Sequence, residues 1–269
     1  KSLPELTNVE KLFGPKSLEN MDKLQTAGVL SIDQTQIKSL PKLTNVKELW
    51  GSGSLENMDK LQTAGVLHLE QTKKIKSLPE LTNVEKLWGS ESLEKMDKLQ
   101  TAGVLSIDQT QIKSLPELTN VKELWGSGSL ENMDKLQTAG VLHLEQTKKI
   151  KSLPELTNVE KLFGPKSLEN MDKLQTAGVL SIDQTQIKSL PKLTNVKELW
   201  GSGSLENMDK LQTAGVLNIK QTRIKSLPKL TNVKELWGSG SLENMDKLQT
   251  AGVLHLEQTK KIKSLPELT

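Results

Sequence analysis

Val29-Leu30-Ser31-Ile32-Asp33-Gln34-Thr35-Gln36-Ile37-Lys38-Ser39-Leu40-Pro41-Lys42-Leu43-Thr44-Asn45-Val46 is the stretch that decides the fold, because its apolar period changes in mid-course. Val29-Leu30-Ser31-Ile32 alternates as a short strand does, one side chain inward and the next outward. Ser39 then stands as a helix N-cap with Pro41 in the first turn, and Leu40, Leu43 and Val46 follow at intervals of three. That interval predicts short 3₁₀ or single-turn α segments, not long helices. Other copies complete a capping box, as in Ser2-Leu3-Pro4-Glu5.

Outward from this stretch the pattern repeats along all 269 residues. Lys38-Ser39-Leu40-Pro41 opens one unit, and the same four residues open units 1–37, 38–75, 76–112, 113–150, 151–187, 188–224 and 225–262, with a partial unit at 263–269. Residues 1–67 return unchanged as 151–217. Each unit carries a second strand-like piece, Glu48-Leu49-Trp50, closed by Gly51, and a second predicted helical turn over 54–61 that ends near Gly65. A unit is therefore two coils: Leu12 to Leu30 spans 18 residues, Leu30 to Leu49 spans 19 and Leu67 to Leu87 spans 20. Coils this short cannot bury an apolar face alone, so they are expected to stack into a single solenoid over 1–269 with their strands in a parallel sheet.

Leu30-x-Ile32-x-x-Thr35-x-Ile37-x-x-Leu40-Pro41-x-Leu43-x-x-Val46 resembles the leucine-rich repeat, with Thr35 where that family usually carries Asn or Cys. The 63–69 segment, followed by its Ile-x-Ser-Leu-Pro turn, is similar to receptor L-domain repeats. The resemblance implies an α/β solenoid, with a parallel sheet on one face and short helical or 3₁₀ turns on the other. The coil around Leu49 is shorter than the family pattern and has Gly51 in place of the second strand leucine. An αα-solenoid of similar period is the competing fold, and the strand-like Val66-Leu67-His68-Leu69-Glu70 argues against it.

The charge balance argues against several partners. Lys and Arg total 36 against 33 acids, and the net charge of +3 is spread over interspersed signs. No basic stripe marks a nucleic-acid surface, and no polybasic patch or long apolar run implies membrane insertion. Cysteine is absent, which excludes disulfides and thiolate metal sites. His68, His143 and His255 lie far apart in sequence with no second ligand beside them, and the expectation is neither metal nor cofactor. Catalysis needs an asymmetric set of groups in a cleft, whereas every candidate here is copied along the array; the chain is read as not an enzyme.

Three columns attract a functional reading. Phe13, Trp50, Trp88, Trp125, Phe163, Trp200 and Trp237 occupy one position of the unit. With Leu49 inward, alternation sends Trp50 outward, and Ser31, His68, Ser106, His143, Ser181, Asn218 and His255 point out from the coils between. The stripe would be a ligand platform; the competing reading turns the indole inward at Gly51 to fill a shallow coil. The pairs Glu10-Lys11, Lys47-Glu48, Glu85-Lys86, Lys122-Glu123, Glu160-Lys161 and Lys197-Glu198 reverse sign at each step. They serve either as a stacking register, each charge facing its opposite in the next unit, or as a solvated surface. Thr35, Thr72, Thr110, Thr147, Thr185, Thr222 and Thr259 would bond backbone groups where the chain leaves the strand; an ordered threonine array also raises ice binding.

The functional expectation is a binding or adhesion scaffold. Its face is nearly uniform, so a ligand that uses all of it would be periodic: a polysaccharide strand or a fibrous partner protein, met at the cell surface or in the secreted space. The alternative is a structural, self-assembling or consensus-built array. The chain starts on a repeat boundary without Met and carries no polar cap at either end, so it is expected to be an excised piece, or to associate end to end.

Overall fold

The structure, a computed structural model, describes residues 3 and 5–266. It divides into two compact units, Lys1–Gln137 and Thr138–Thr269. In the first, β1 (Asn8–Phe13), β2 (Thr26–Ser31), β3 (Asn45–Trp50), β4 (Ala64–His68), β5 (Asn83–Trp88), β6 (Thr101–Ser106) and β7 (Asn120–Trp125) pair in chain order, every pair parallel. In the second, β8 (Ala139–His143), β9 (Asn158–Phe163), β10 (Thr176–Ser181), β11 (Val196–Trp200), β12 (Ala214–Asn218), β13 (Val233–Trp237) and β14 (Ala251–His255) do the same. Each unit is a β-solenoid with one strand per coil, and each sequence repeat supplies two coils.

The leucines fix the register. Leu12 pairs with Leu30, Leu30 with Leu49, Leu49 with Leu67 and Leu67 with Leu87, so coils of unequal length stay in step. The longest of these coils absorbs its additional residue in a bend at Lys73 and Lys74, outside the strand. Leu30, Leu49, Leu67 and Leu87 are wholly buried, as are Ile32, Leu55 and Leu93. Stacking these side chains coil on coil makes the core, since no single coil encloses them.

The α/β expectation is overturned: among the described residues there is no helix, and both units are all-β. The interval of three comes from corners. Leu55 N–H donates to the Ser52 carbonyl at 3.1 Å and Leu61 N–H to the Met58 carbonyl at 3.0 Å, one tight turn after another with none continued. Each turn returns an apolar side chain to the core three residues on. Around Pro41 no helix begins. A residue before proline is pushed out of the α region, and Leu40 instead donates its N–H to the Asn57 carbonyl of the next coil at 3.0 Å. Ser39 and Asn57 form a parallel bridge there, repeated at Ser77 and Lys95 and at Ser114 and Asn132. The backbone is thus satisfied sideways, by the neighbouring coil. The capping box at Ser2-Leu3-Pro4-Glu5 lies partly outside the described residues; its equivalent at Ser77-Leu78-Pro79-Glu80 is bridge and loop.

The strands also begin earlier than alternation predicts. In β2 the buried residues are Ala27 and Leu30, with half-buried Gly28 and Val29 between them. In β3 they are Val46 and Leu49, so Val46 belongs to a strand and not to a helical turn. Two consecutive residues face outward in the middle of each strand, and neighbours share the interruption, so pairing is not offset. Gly28 sits where a Cβ would run into the Glu10 carbonyl oxygen, a close approach of adjacent backbones that only glycine allows.

Ion pairs join successive coils away from the sheet face. Lys74 pairs with Glu56, and Lys261 with Glu243 at 2.7 Å. The hydrogen bond from Lys74, then its charge, holds the Glu56 carboxyl below its ordinary value of 4.5, and Lys261 acts likewise on Glu243. All four groups are exposed, so each pair adds little to stability.

Candidate functional site: the outer face of the sheet

Within each unit the outward side chains fall into three columns that run across the strands. At the carboxyl ends of the strands stand the predicted rings. Phe13 pairs with Ser31, Ser31 with Trp50, Trp50 with His68, His68 with Trp88, Trp88 with Ser106 and Ser106 with Trp125. The second unit runs His143, Phe163, Ser181, Trp200, Asn218, Trp237 and His255. Trp50, Trp125 and Trp200 are 41–43% exposed and Phe13 is 70% exposed, while Leu49 is wholly buried. The indoles are therefore outside. Gly51 is occupied differently from either reading: a Cβ there would meet Thr72 Cγ2 at 2.6 Å. The glycine makes room for the threonine of the next coil.

The rings stack on each other. Trp50 and His68 have centroids 3.5 Å apart and planes within 9°, and His68 and Trp88 are 4.5 Å apart within 5°. His143 lies on Phe163 at 4.8 Å and His255 on Trp237 at 3.6 Å. Such contacts contribute roughly 0.5–1.5 kcal/mol each beyond burial. Carboxylates steer them: Trp50 Nε1 donates to Glu48 Oε1 at 2.8 Å, and Trp125 Nε1 to Glu123 Oε1 at the same distance. His68 lies between Glu48, 3.5 Å from Nε2, and Glu70, 3.8 Å from Nδ1. His255 Nε2 lies 3.1 Å from Glu235. Among the described residues no group of three His, Cys, Asp or Glu side chains is arranged to hold a metal.

In the middle of the strands runs the second column, a shallow trough of about 870 Å³ in the first unit, lined by Glu10, Gly28, Lys47, Gly65 and Glu85 among others. The sign reversal does not bring opposite charges together, because a Gly-Val coil separates successive pairs. Lys11 is aligned with Val29, Val29 with Glu48, Glu48 with Val66 and Val66 with Lys86. The strands that carry successive pairs are about 9–10 Å apart. The result is a trough whose charge alternates along its length, and whose Glu48 and Glu123 orient the indoles.

The third column was not read from the sequence. Asn8, Thr26 and Asn45 align at the amino ends of the strands, as do Asn83, Thr101 and Asn120. Thr26 Oγ1 donates to Asn8 Oδ1 at 2.7 Å and Thr101 Oγ1 to Asn83 Oδ1 at 2.6 Å. The signal was available: each of these residues lies four before the strand leucine, as Thr26 does before Leu30. The threonine column that begins at Thr35 lies elsewhere. Thr35, Thr72 and Thr110 are buried, and each hydroxyl donates to the carbonyl three residues back, at 2.8–2.9 Å. They close the corner after the strand and present no surface to ice.

No family model, curated protein or solved structure matches the chain. What stands is the repeat solenoid itself.

Proposed function

We propose that this chain is a non-catalytic binding scaffold whose sheet face takes an extended ligand lying across the strands. The observation that carries the reading is the two-coil period of the face. The large rings and the Asn-Thr column recur every second strand, and charged pairs recur with them, their sign reversing through the first six repeats. A folded partner has an aperiodic surface and would select variation from unit to unit; an extended polymer matches a uniform face. A polypeptide suits this face better than a polysaccharide, because Trp50 and Trp88 each give one ring face to His68, which interrupts the row of open rings a sugar chain would stack on.

The test is calorimetric titration of the chain with a panel of extended peptides and soluble polysaccharides. Trp88→Ala combined with Trp125→Ala should abolish the binding seen with the original chain. A double variant that binds every polymer as before would remove the sheet face from consideration.

A further inference from the structure

We infer that Ser31, Ser106 and Ser181 mark slots that receive arginine side chains of an extended polypeptide partner. The inference rests on the binding role of the sheet face and names the chemistry that face would recognise. Each serine lies in register between two aromatic residues: Ser106 between Trp88 and Trp125, Ser31 between Phe13 and Trp50, Ser181 between Phe163 and Trp200. The strands that carry the flanking rings are two spacings apart, about 9–10 Å. A flat group touching both walls needs roughly 7–8 Å.

The chain fills the equivalent space itself in another coil. His68 lies flat between Trp50 and Trp88, with its nitrogens toward Glu48 and Glu70. Serine is too short to reach that place. The indole of Trp125 is held by Glu123 as that of Trp50 is by Glu48, so the wall beyond Ser106 is set in the same way.

Charge selects the guest. Ser31 Oγ donates to Asp33 Oδ1 at 2.9 Å and Ser181 Oγ to Asp183 Oδ1 at 3.0 Å, and Asp108 follows Ser106 at the same interval. Each slot therefore has an aspartate beside its floor. One wall follows a lysine (Lys86 before Trp88) and the other a glutamate (Glu123 before Trp125), which leaves the surroundings one charge negative. The Asn218 coil shows the converse. Lys220 occupies the aspartate position there, and its Nζ stands 3.9 Å from the Trp237 ring centroid. Where the coil carries a base, it supplies its own cation to the ring. A guanidinium is flat, stacks on indole and donates from its edge to a carboxylate.

Ser31 and Ser106 lie four strands apart in the first unit, about 19 Å. An extended peptide spans that distance in about six residues. The probe is a serine-rich peptide with two arginines six positions apart, compared with versions carrying citrulline or lysine, titrated into the full chain by calorimetry with indole fluorescence recorded. The arginine peptide should bind, and the citrulline peptide, flat but uncharged, should bind roughly tenfold more weakly or worse. Ser31→His with Ser106→His copies an arrangement the chain already folds around at His68; it should weaken the arginine peptide by a similar factor without lowering the unfolding temperature. His68→Ser should raise the number of arginines bound. Equal binding of arginine and citrulline peptides, or no binding of the arginine peptide, overturns the inference. So does unchanged binding by the Ser31→His, Ser106→His variant. If that variant binds normally while Trp88→Ala with Trp125→Ala does not, the slots fail and the sheet face stands; if neither variant alters binding, both fail.

Discussion

Gly51 and Thr72 show how much of this fold is set by single contacts between successive coils. Thr72 is locked on two sides, by its own β-branch and by the hydrogen bond from its hydroxyl to the Leu69 carbonyl at 2.8 Å. Its methyl group fills the space left by Gly51, and the relation recurs between Gly89 and Thr110 and between Gly201 and Thr222. Gly51→Ala should therefore cost about 1–3 kcal/mol, as overpacking in a filled interior does. Thr72→Ser keeps the hydroxyl and removes the methyl, so the double variant should recover most of that loss. Urea unfolding of the four proteins of this cycle measures the coupling; purely additive changes would show that the two residues do not share the space. Gly65→Ala differs, because its Cβ would meet the Lys47 carbonyl oxygen at 2.7 Å, and no side-chain exchange relieves a backbone contact.

At the scale of the element, the corner after each odd-numbered strand exists in two versions, with serine or with proline two residues past the ring. Ser52, Ser127, Ser202 and Ser239 bury a hydroxyl with no hydrogen-bond partner. In the alternative version Pro15 and Pro165 occupy the same position, and the same turn closes from Leu18 to Pro15 at 2.9 Å and from Leu168 to Pro165 at 3.0 Å. An unpaired buried hydroxyl is destabilising, and proline in a compatible turn restricts the unfolded chain. Ser52→Pro should accordingly stabilise the protein by about 0.4–1 kcal/mol or more, seen as a raised thermal midpoint. A lowered midpoint would mean that Gly51 and Gly14 do not share a conformation. The trough and the ring column are likewise properties of the element. They exist because every strand turns two consecutive residues outward between its inward Ala or Val and its inward Leu.

For the whole molecule, stability should follow the number of coils, since each coil touches only its neighbours. Excising residues 38–75 joins Ile37 to Lys76 and recreates the junction that Ile75 already makes with Lys76. The shortened chain should keep its strand signal per residue in circular dichroism and unfold at a modestly lower midpoint. The excision also puts Glu10-Lys11 next in line to Glu85-Lys86, which breaks the sign reversal. Because a Gly-Val coil separates successive pairs and the side chains are solvated, this should add no more than a few tenths of a kcal/mol. Excising 38–112, which restores the reversal, is the control; a large difference per coil removed would give the charges a register role after all.

The repeat, the two coils in each unit and the leucine register were all legible in the sequence, because equal spacing of leucines is a statement about stacking that needs no geometry. The outward position of the rings followed from alternation next to Leu49. Helix against corner was not legible. Leu55, Met58 and Leu61 at intervals of three fit a helical turn and a chain of tight turns equally well. What separates the two is where the backbone N–H groups find acceptors, in their own segment or in the coil alongside, and only the assembled stack supplies the second set. Tertiary structure likewise decided that His68 fills a gap between indoles while Ser106 leaves one, since a gap is a relation between strands that no single strand contains.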